Sequence, residues 1–230
     1  VMENREPFQT ILGHALVKDE EGRDMHKSLG NAIWFDDAAE IMGADVMRYI
    51  FASHNPFNNL NFGYTMGESV KRKFLTLWNS YSFFITYASL DNFNPEEEPV
   101  PLKERSLLDR WITGKLNFVI KKGRENLDKY NVAYLMKLVD DFIENLSNWY
   151  IRRSRKRFWK SENDKDKKAA YFTLYEVLTK LIRLLAPVLP FLTEVIYQNL
   201  VKNAASSAPE SIHLTSFPVA DESLIDENLI

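Results

Sequence analysis

The stretch Gly22-Arg23-Asp24-Met25-His26-Lys27-Ser28-Leu29-Gly30-Asn31 gathers cations, a hydroxyl, an imidazole and two glycines in one short run. Glycine lets a backbone bend closely around a ligand, and a lysine ammonium offers a point charge to phosphate oxygens. These are the parts of a loop that holds a polyphosphate. The order Gly-x-x-x-x-Gly-Lys-[Ser/Thr] is absent, so the loop is not of the Walker type. By composition alone it also reads as a charged surface loop.

A second run, from Trp149 to Lys160, holds six cations and no acid. Guanidinium groups pair with phosphates, and Arg or Trp planes stack on unpaired bases, so the pattern suits RNA. At about 100° per residue, Arg152, Arg155 and Lys156 share a helix face, and Arg153 and Arg157 share the adjoining one. Two plainer readings compete. Cations are favoured at a helix C-terminus by the helix dipole, and a basic run is often solvated or acid-paired. Trp149 continues an apolar stripe and is read as core. Trp159 lies past the stripe and is read as the stacking residue.

The elements that must carry these two runs are mostly helical. Before the loop, Thr10 to Val17 is short and apolar and predicts a strand, with Lys18 to Gly30 as a mobile loop. Residues 36–54 predict two short helices parted at Gly43, capped by Asp36 and Asp45. Residues 66–90 form a long apolar and aromatic stretch in which Trp78, Tyr81, Phe84 and Tyr87 read as core. Asp91 to Pro101 breaks it with three prolines. Leu108, Ile112, Leu116 and Val119 mark the next helix. Leu135, Leu138, Phe142, Leu146 and Trp149 mark one from about Val132 to Phe158. Leu174, Leu178, Leu181 and Leu185 mark another after a charged turn at Ser161 to Lys168. A helical face resumes after Pro190. Ser211 to Leu214 predicts a strand, and residues 221–230, with four acids and no base, predict a solvated end. Stripes of this kind on successive helices predict a bundle around a shared core. Lys71-Arg72-Lys73 and the group Lys115, Lys121, Lys122 and Arg124 read as solvated faces. His54 and His213 are given no role.

The 230 residues carry 29 Lys and Arg against 32 Asp and Glu, a net charge of −3. That sum hides a +6 block at 149–160 and a remainder of −9 (−3 minus +6). The absence of Cys removes disulfides, thiolate zinc sites and thiol nucleophiles, and fits a reducing, cytoplasmic setting. Nothing has the spacing of a metal site such as His-Glu-x-x-His. No apolar run is long enough to span a bilayer, so no membrane partner is expected. Val1 to Pro7 does not have the form of a signal peptide.

Gly13-His14-Ala15-Leu16-Val17 followed by Met25-His26-Lys27-Ser28-Leu29-Gly30-Asn31 resembles the strand and Lys-Met-Ser-Lys-Ser loop of class I aminoacyl-tRNA synthetases. Gly43-Ala44-Asp45-Val46-Met47-Arg48-Tyr49 is similar to the helix that follows that loop. Ser147-Asn148-Trp149-Tyr150-Ile151-Arg152-Arg153-Ser154-Arg155-Lys156-Arg157-Phe158-Trp159, with Ala186-Pro187-Val188-Leu189-Pro190-Phe191, resembles the isoleucyl-tRNA synthetase family in particular. The resemblance spans nearly the whole chain.

It implies a mainly α fold: a helical bundle of the anticodon-binding type, preceded by the end of a Rossmann-type catalytic domain. Residues 1–55 would be that end, 56–203 the bundle, and 204–230 a trailing segment packed on it. The implied reaction activates isoleucine with ATP and transfers it to tRNA(Ile). Lys27 and Ser28 would be the catalytic residues of the loop, with Met25, His26, Lys27 and Leu29 against ATP. Arg152, Arg153, Arg155, Lys156, Arg157 and Trp159 would touch the tRNA. Mg is expected with ATP in the intact enzyme, and neither is expected to bind tightly to this chain alone. A monomer is expected. The family's first loop lysine falls on Asp24 and its first serine on His26; Arg23 is expected to take over part of the missing charge. The family's His-x-Gly-His element is imitated only by Ile11-Leu12-Gly13-His14, so His14 is read as a strand residue near the site. The chain is therefore expected to be the C-terminal fragment of a longer enzyme and inactive alone. The alternatives are a valyl or leucyl relative, or a helical RNA-binding protein without enzymatic activity.

Overall fold

The computed structural model describes residues 6–160, 164–205 and 207–227. The expectations for residues 1–5, 161–163 and 228–230 lie outside the described residues.

The chain is mainly helical. A short parallel pair, β1 (Val17–Lys18) and β2 (Leu60–Asn61), brackets the loop and two helices, α1 (Phe35–Ile41) and α2 (Ala44–Ser53). The bundle follows as α3 (Tyr64–Leu90), α4 (Leu107–Leu127), α5 (Val132–Asn145), α6 (Arg152–Trp159), α7 (Lys165–Leu185) and α8 (Pro190–Tyr197). The strand expected over residues 10–17 shrinks to its last residue plus Lys18. Ile11, Leu12 and Leu16 are exposed, so no packed face holds residues 10–16 in a sheet.

The bundle core is built from the stripes legible in the sequence. Ile112, Leu116 and Val119 of α4 meet Leu135 and Phe142 of α5 and Leu174, Leu178, Leu181 and Leu185 of α7. Tyr81 and Phe84 of α3 are buried, but Trp78 on the same helix is 38% exposed and is not core. Phe158 packs edge-on against Phe83 and Tyr171, closing α6 onto α3 and α7.

α5 runs into α6 through a π-helical segment, Leu146–Ile151. The buried residues Phe142, Leu146, Tyr150, Ser154 and Phe158 recur every fourth position. Four residues of α-helix advance about 400°, so such a stripe drifts about 40° per step away from the core. The wider i→i+5 turn winds part of that drift back, and the face stays inside. Trp149, expected in the core, is turned outward and is 51% exposed.

α4 starts with a capping box: Ser106 Oγ accepts from the Asp109 amide, and the Ser106 amide donates to Asp109 Oδ2. The Asp109 carboxylate is fully buried and does more than cap. Arg157 of α6 donates to it through Nη1 (2.8 Å) and Nη2 (2.7 Å), and the Tyr150 hydroxyl donates at 2.7 Å. Arg157 Nε also donates to Asp166 of α7 at 3.0 Å. Burial pushes the Asp109 carboxyl up, but the Arg157 hydrogen bonds and charge, helped by Tyr150 and Ser106, outweigh it and hold the group below its ordinary range.

The end of the chain departs from expectation. Residues Ile212–Leu214 form a 3-10 turn, not a strand. Residues 221–227 lie against α4: the Asp221 amide donates to Asn117 Oδ1 at 2.8 Å, Lys121 pairs with Glu222, and the Leu224 carbonyl crosses directly over Gly114, where a Cβ would lie 2.5 Å from its oxygen. The acids of this segment are thus partly docked, and Gly114 is required by the crossing.

Asp109→Asn removes the buried one of Arg157's two carboxylate partners and leaves only the half-exposed Asp166. It is expected to cost about 3–5 kcal/mol, read as a lower urea midpoint at pH 7. Because the folded pKa is depressed, the carboxylate contributes fully above the unfolded value of about 3.9 and loses that contribution as pH falls through the folded value. The acid limb of the stability profile is therefore expected to be shallower in Asp109→Asn.

Candidate phosphate loop and nucleic-acid face

The loop is latched around Asp19, which lies just after β1 and is 5% exposed. Its carboxylate accepts from the Arg23 amide (2.7 Å), Arg23 Nε (2.8 Å) and Asn31 Nδ2 (2.8 Å). Burial pushes this carboxyl up, and the Asn31 and Arg23 hydrogen bonds more than offset it, leaving it below its ordinary range. Asn31 also donates to the Asp24 carbonyl at 3.0 Å and accepts from the His26 amide at 2.9 Å. One asparagine side chain therefore ties both ends of the loop to its middle.

Asp24, at the position of the family's first loop lysine, pairs with Lys18 at 2.9 Å. Arg23 does not take over that missing charge. Its guanidinium is committed to Asp19 and to Glu21 at 2.9 Å. Lys27–Leu29 form a 3-10 turn ended by Gly30 at φ 70°, a left-handed conformation that favours glycine. Met25 is partly buried and anchors the loop on the core, while His26, Lys27, Ser28 and Leu29 face outward. The Lys27 ammonium lies 4.6 Å from the centroid of the Trp34 ring, and no carboxylate pairs with it among the described residues. His14 is exposed and its ring bonds only the adjacent Ala15 carbonyl, away from any strand.

α2 bolts this region to the bundle. Asp45 does not cap its own helix; Gly43 holds that place, as Trp34 rather than Asp36 does for α1. The Asp45 carboxylate instead accepts from the amides of Leu192 (2.7 Å) and Phe191 (3.4 Å), in the first turn of α8. Burial lifts this carboxyl above its ordinary range against those hydrogen bonds. One turn on, Arg48 donates to the Pro187 and Val188 carbonyls at 2.7 and 2.9 Å. Tyr49 donates to Asp140 of α5, which also pairs with Lys73 of α3. Lys73 and Lys71 stay partly exposed, as read from the sequence, but each is ion-paired, Lys71 with Glu68.

On α6 and its C-cap Lys160, the structure divides the six cations into two groups. Arg157 is withdrawn from the RNA set, because Asp109 and Asp166 occupy its guanidinium and its side chain is only 15% exposed. Lys160 pairs with Asp164 and Asp166. Arg152, Arg153, Arg155 and Lys156 are exposed and have no carboxylate partner among the described residues. Trp149 joins them: the Arg153 guanidinium stacks 4.4 Å from its ring centroid. Asn148, Trp149, Arg152 and Arg153 line an open concavity. Trp159, 55% exposed, stands at the far end of α6.

Sequence reasoning missed Asn31, Trp34 and Asp109. Only Asp109 carried a readable signal, the Ser106-x-x-Asp109 capping pattern before an apolar run. The exposure of Trp149 depends on the π segment and had none.

Residues 109–230 match the family described as the anticodon-binding domain of tRNA ligase, and residues 1–63 match the class I tRNA synthetases of the I, L, M and V group. The chain belongs to the class I tRNA synthetases. The isoleucine–tRNA ligase of Dehalococcoides mccartyi is 48% identical to this synthetase chain, covering 98% of it and 22% of the relative. That of Thermus thermophilus is 43% identical, covering 97% and 22%. The synthetase chain thus spans about a fifth of the length of the curated relatives it matches. Two solved structures share the fold. The LeuRS–tRNA–LeuAMS ternary complex of Agrobacterium radiobacter K84 superposes with a TM-score of 0.72 at 17% identity, over 93% of this chain and 24% of that one. Methionyl-tRNA synthetase of Mycobacterium tuberculosis with methionyl-adenylate gives 0.67 at 18% identity, over 88% and 43%. Among the described residues, no helix of the synthetase chain is long and apolar enough to cross a membrane. Among those residues, no group of three or more His, Asp or Glu side chains could hold a metal ion.

Asn31→Ala removes the loop's latch without touching the bundle core. Tryptic cleavage after Lys27 is expected to speed up several-fold, while global stability moves by only about 1 kcal/mol. Limited proteolysis beside a urea titration checks both.

Proposed function

We propose that this chain is the part of an isoleucine–tRNA ligase that supplies the mobile ATP loop and grips the anticodon stem and loop of tRNA(Ile). Residues 1–55 end the catalytic domain, 56–203 form the tRNA-binding bundle and 204–230 pack back on it. The ligase works as a cytoplasmic monomer. The observation that carries the RNA role is the row of Arg152, Arg153, Arg155 and Lys156, exposed and without a carboxylate partner among the described residues, beside the outward Trp149. The names of the relatives support isoleucine as the amino acid.

ATP, when bound, supplies the phosphoanhydride that activates the amino-acid carboxylate. The loop's own part is electrostatic. Lys27, which no carboxylate pairs among the described residues, brings its ammonium to the phosphates as charge grows on the departing pyrophosphate. Ser28 and the 3-10 turn hold the backbone beneath it, and Met25 and Leu29 set the loop's height over the adenine side. His26 contributes its backbone, already fixed by Asn31. A contact made best in the transition state is worth about 10²–10³ in rate.

On RNA, the four cations pair with phosphates and Trp149 and Trp159 offer π faces to unpaired bases. Four neutralised phosphates predict a log–log salt slope of roughly −3 for an anticodon stem–loop of tRNA(Ile). Arg152→Ala with Lys156→Ala is expected to flatten that slope. Trp149→Ala is expected to cost about 1–3 kcal/mol with the slope unchanged. Filter binding across a salt series reads both, and salt-independent binding or none at low salt overturns the RNA role. In the intact ligase, Lys27→Ala is expected to slow ATP–pyrophosphate exchange by about 10²–10³-fold.

A further inference from the structure

Trp34 is oddly placed for a structural residue. It holds the N-cap position of α1, where Ser, Asp or Asn would bond the free amides, and its side chain makes no capping bond. It is not core either, since 53% of it is exposed. What its ring does touch is Lys27, whose ammonium sits 4.6 Å from the ring centroid. The rest of the loop is fixed independently by Asn31, Asp19 and the Lys18–Asp24 pair. The ring is thus the only partner that the described residues offer the Lys27 ammonium.

We propose that Trp34 is a resting seat for Lys27: a positioning residue that holds the ammonium by cation–π attraction until triphosphate oxygens displace it. This rests on the reading of Lys27 as the phosphate-binding lysine. A seat of this kind keeps the long side chain ordered and its charge directed outward from the loop. It also competes with phosphate, because the ammonium must leave the ring to reach the nucleotide. An exposed contact of this type sets the scale of that competition at about two- to five-fold in an equilibrium constant.

The seat is read directly by NMR on the chain with lysine labelled at Cε. The Lys27 ε-methylene protons are expected upfield of the other lysines through the indole ring current, and Trp34→Leu is expected to return them to the common position. In the intact ligase, Trp34→Leu is expected to lower KM for ATP about two- to five-fold at unchanged kcat, with Trp34→Phe between it and the parent. A purely structural role for Trp34 would not split KM from kcat in this way. Unshifted Lys27 methylenes, or a KM for ATP that stays or rises in Trp34→Leu, overturn the seat. Lys27→Ala separates the two ideas. If it leaves exchange intact, the ATP-loop reading itself fails; if it abolishes exchange while Trp34→Leu behaves as the parent, only the seat fails.

Discussion

The buried carboxylate of Asp109 sets the geometry on which the exposed cationic face of α6 depends. It caps α4, receives both terminal nitrogens of Arg157 and accepts the Tyr150 hydroxyl. A buried ion pair is weak evidence for stability, because desolvating two charges offsets most of their attraction. Its clearer consequence is rotational. Arg157 can reach Asp109 only if α6 turns that residue inward. Arg152, Arg153, Arg155 and Lys156 are left exposed in the same arrangement. Ser154 and Phe158 lie on the inner side with Arg157, and Phe158 wedges between Phe83 and Tyr171. The cationic face is the outer side of a helix whose inner side has been fixed by one carboxylate.

The π segment completes that constraint. Without it, the four-residue spacing from Phe142 to Phe158 would carry the stripe round to solvent, and α6 could not bury Phe158 while α5 buries Phe142. The same turn that preserves the core pushes Trp149 out beneath Arg153. Further back along the same helix, α5 meets α2 through Asp140, and α2 follows the loop that carries Lys27 by way of α1. Asp45 and Arg48 hold α2 from the opposite side, one on the amides of α8 and the other on the Pro187 and Val188 carbonyls of the turn between α7 and α8. Loop and cationic face thus belong to one framework in which the start of α8 and the turn before it are held by side chains of α2.

The helices and their inward faces were legible because each is a long stripe near the 3.6 period, as in Leu108, Ile112, Leu116 and Val119. The loop stood out in the sequence because glycines and cations cluster there. Other features needed information that is not local. Asp45 looked like a cap for its own helix; that it caps α8 depends on a contact 147 residues away. The apolar run before β1 looked like a strand, yet only its last residues, Ala15 to Val17, bond the segment at 56–60, and regular pairing begins at Val17 opposite Leu60. Arg157 belonged to an unbroken basic run, and nothing beside it in sequence showed that Asp109, 48 residues earlier, would claim it.

Charge bookkeeping over the whole chain would have misjudged this surface. The excess of acids giving a net −3 is not spread evenly. Much of the rest of the chain's charge is consumed in pairs such as Lys73–Asp140, Arg105–Glu176 and Lys168–Glu97, which cancel over a few ångströms. Screening over about 8–10 Å at physiological salt then hides distant acids from a polyanion at α6. What an approaching phosphate meets is the local set, and there Arg157 and Lys160 have already been neutralised by Asp109, Asp164 and Asp166. The charge that matters is therefore smaller than the +6 of the sequence block and more sharply placed: four cations on one exposed surface, beside an aromatic ring that the packing of the core has forced outward.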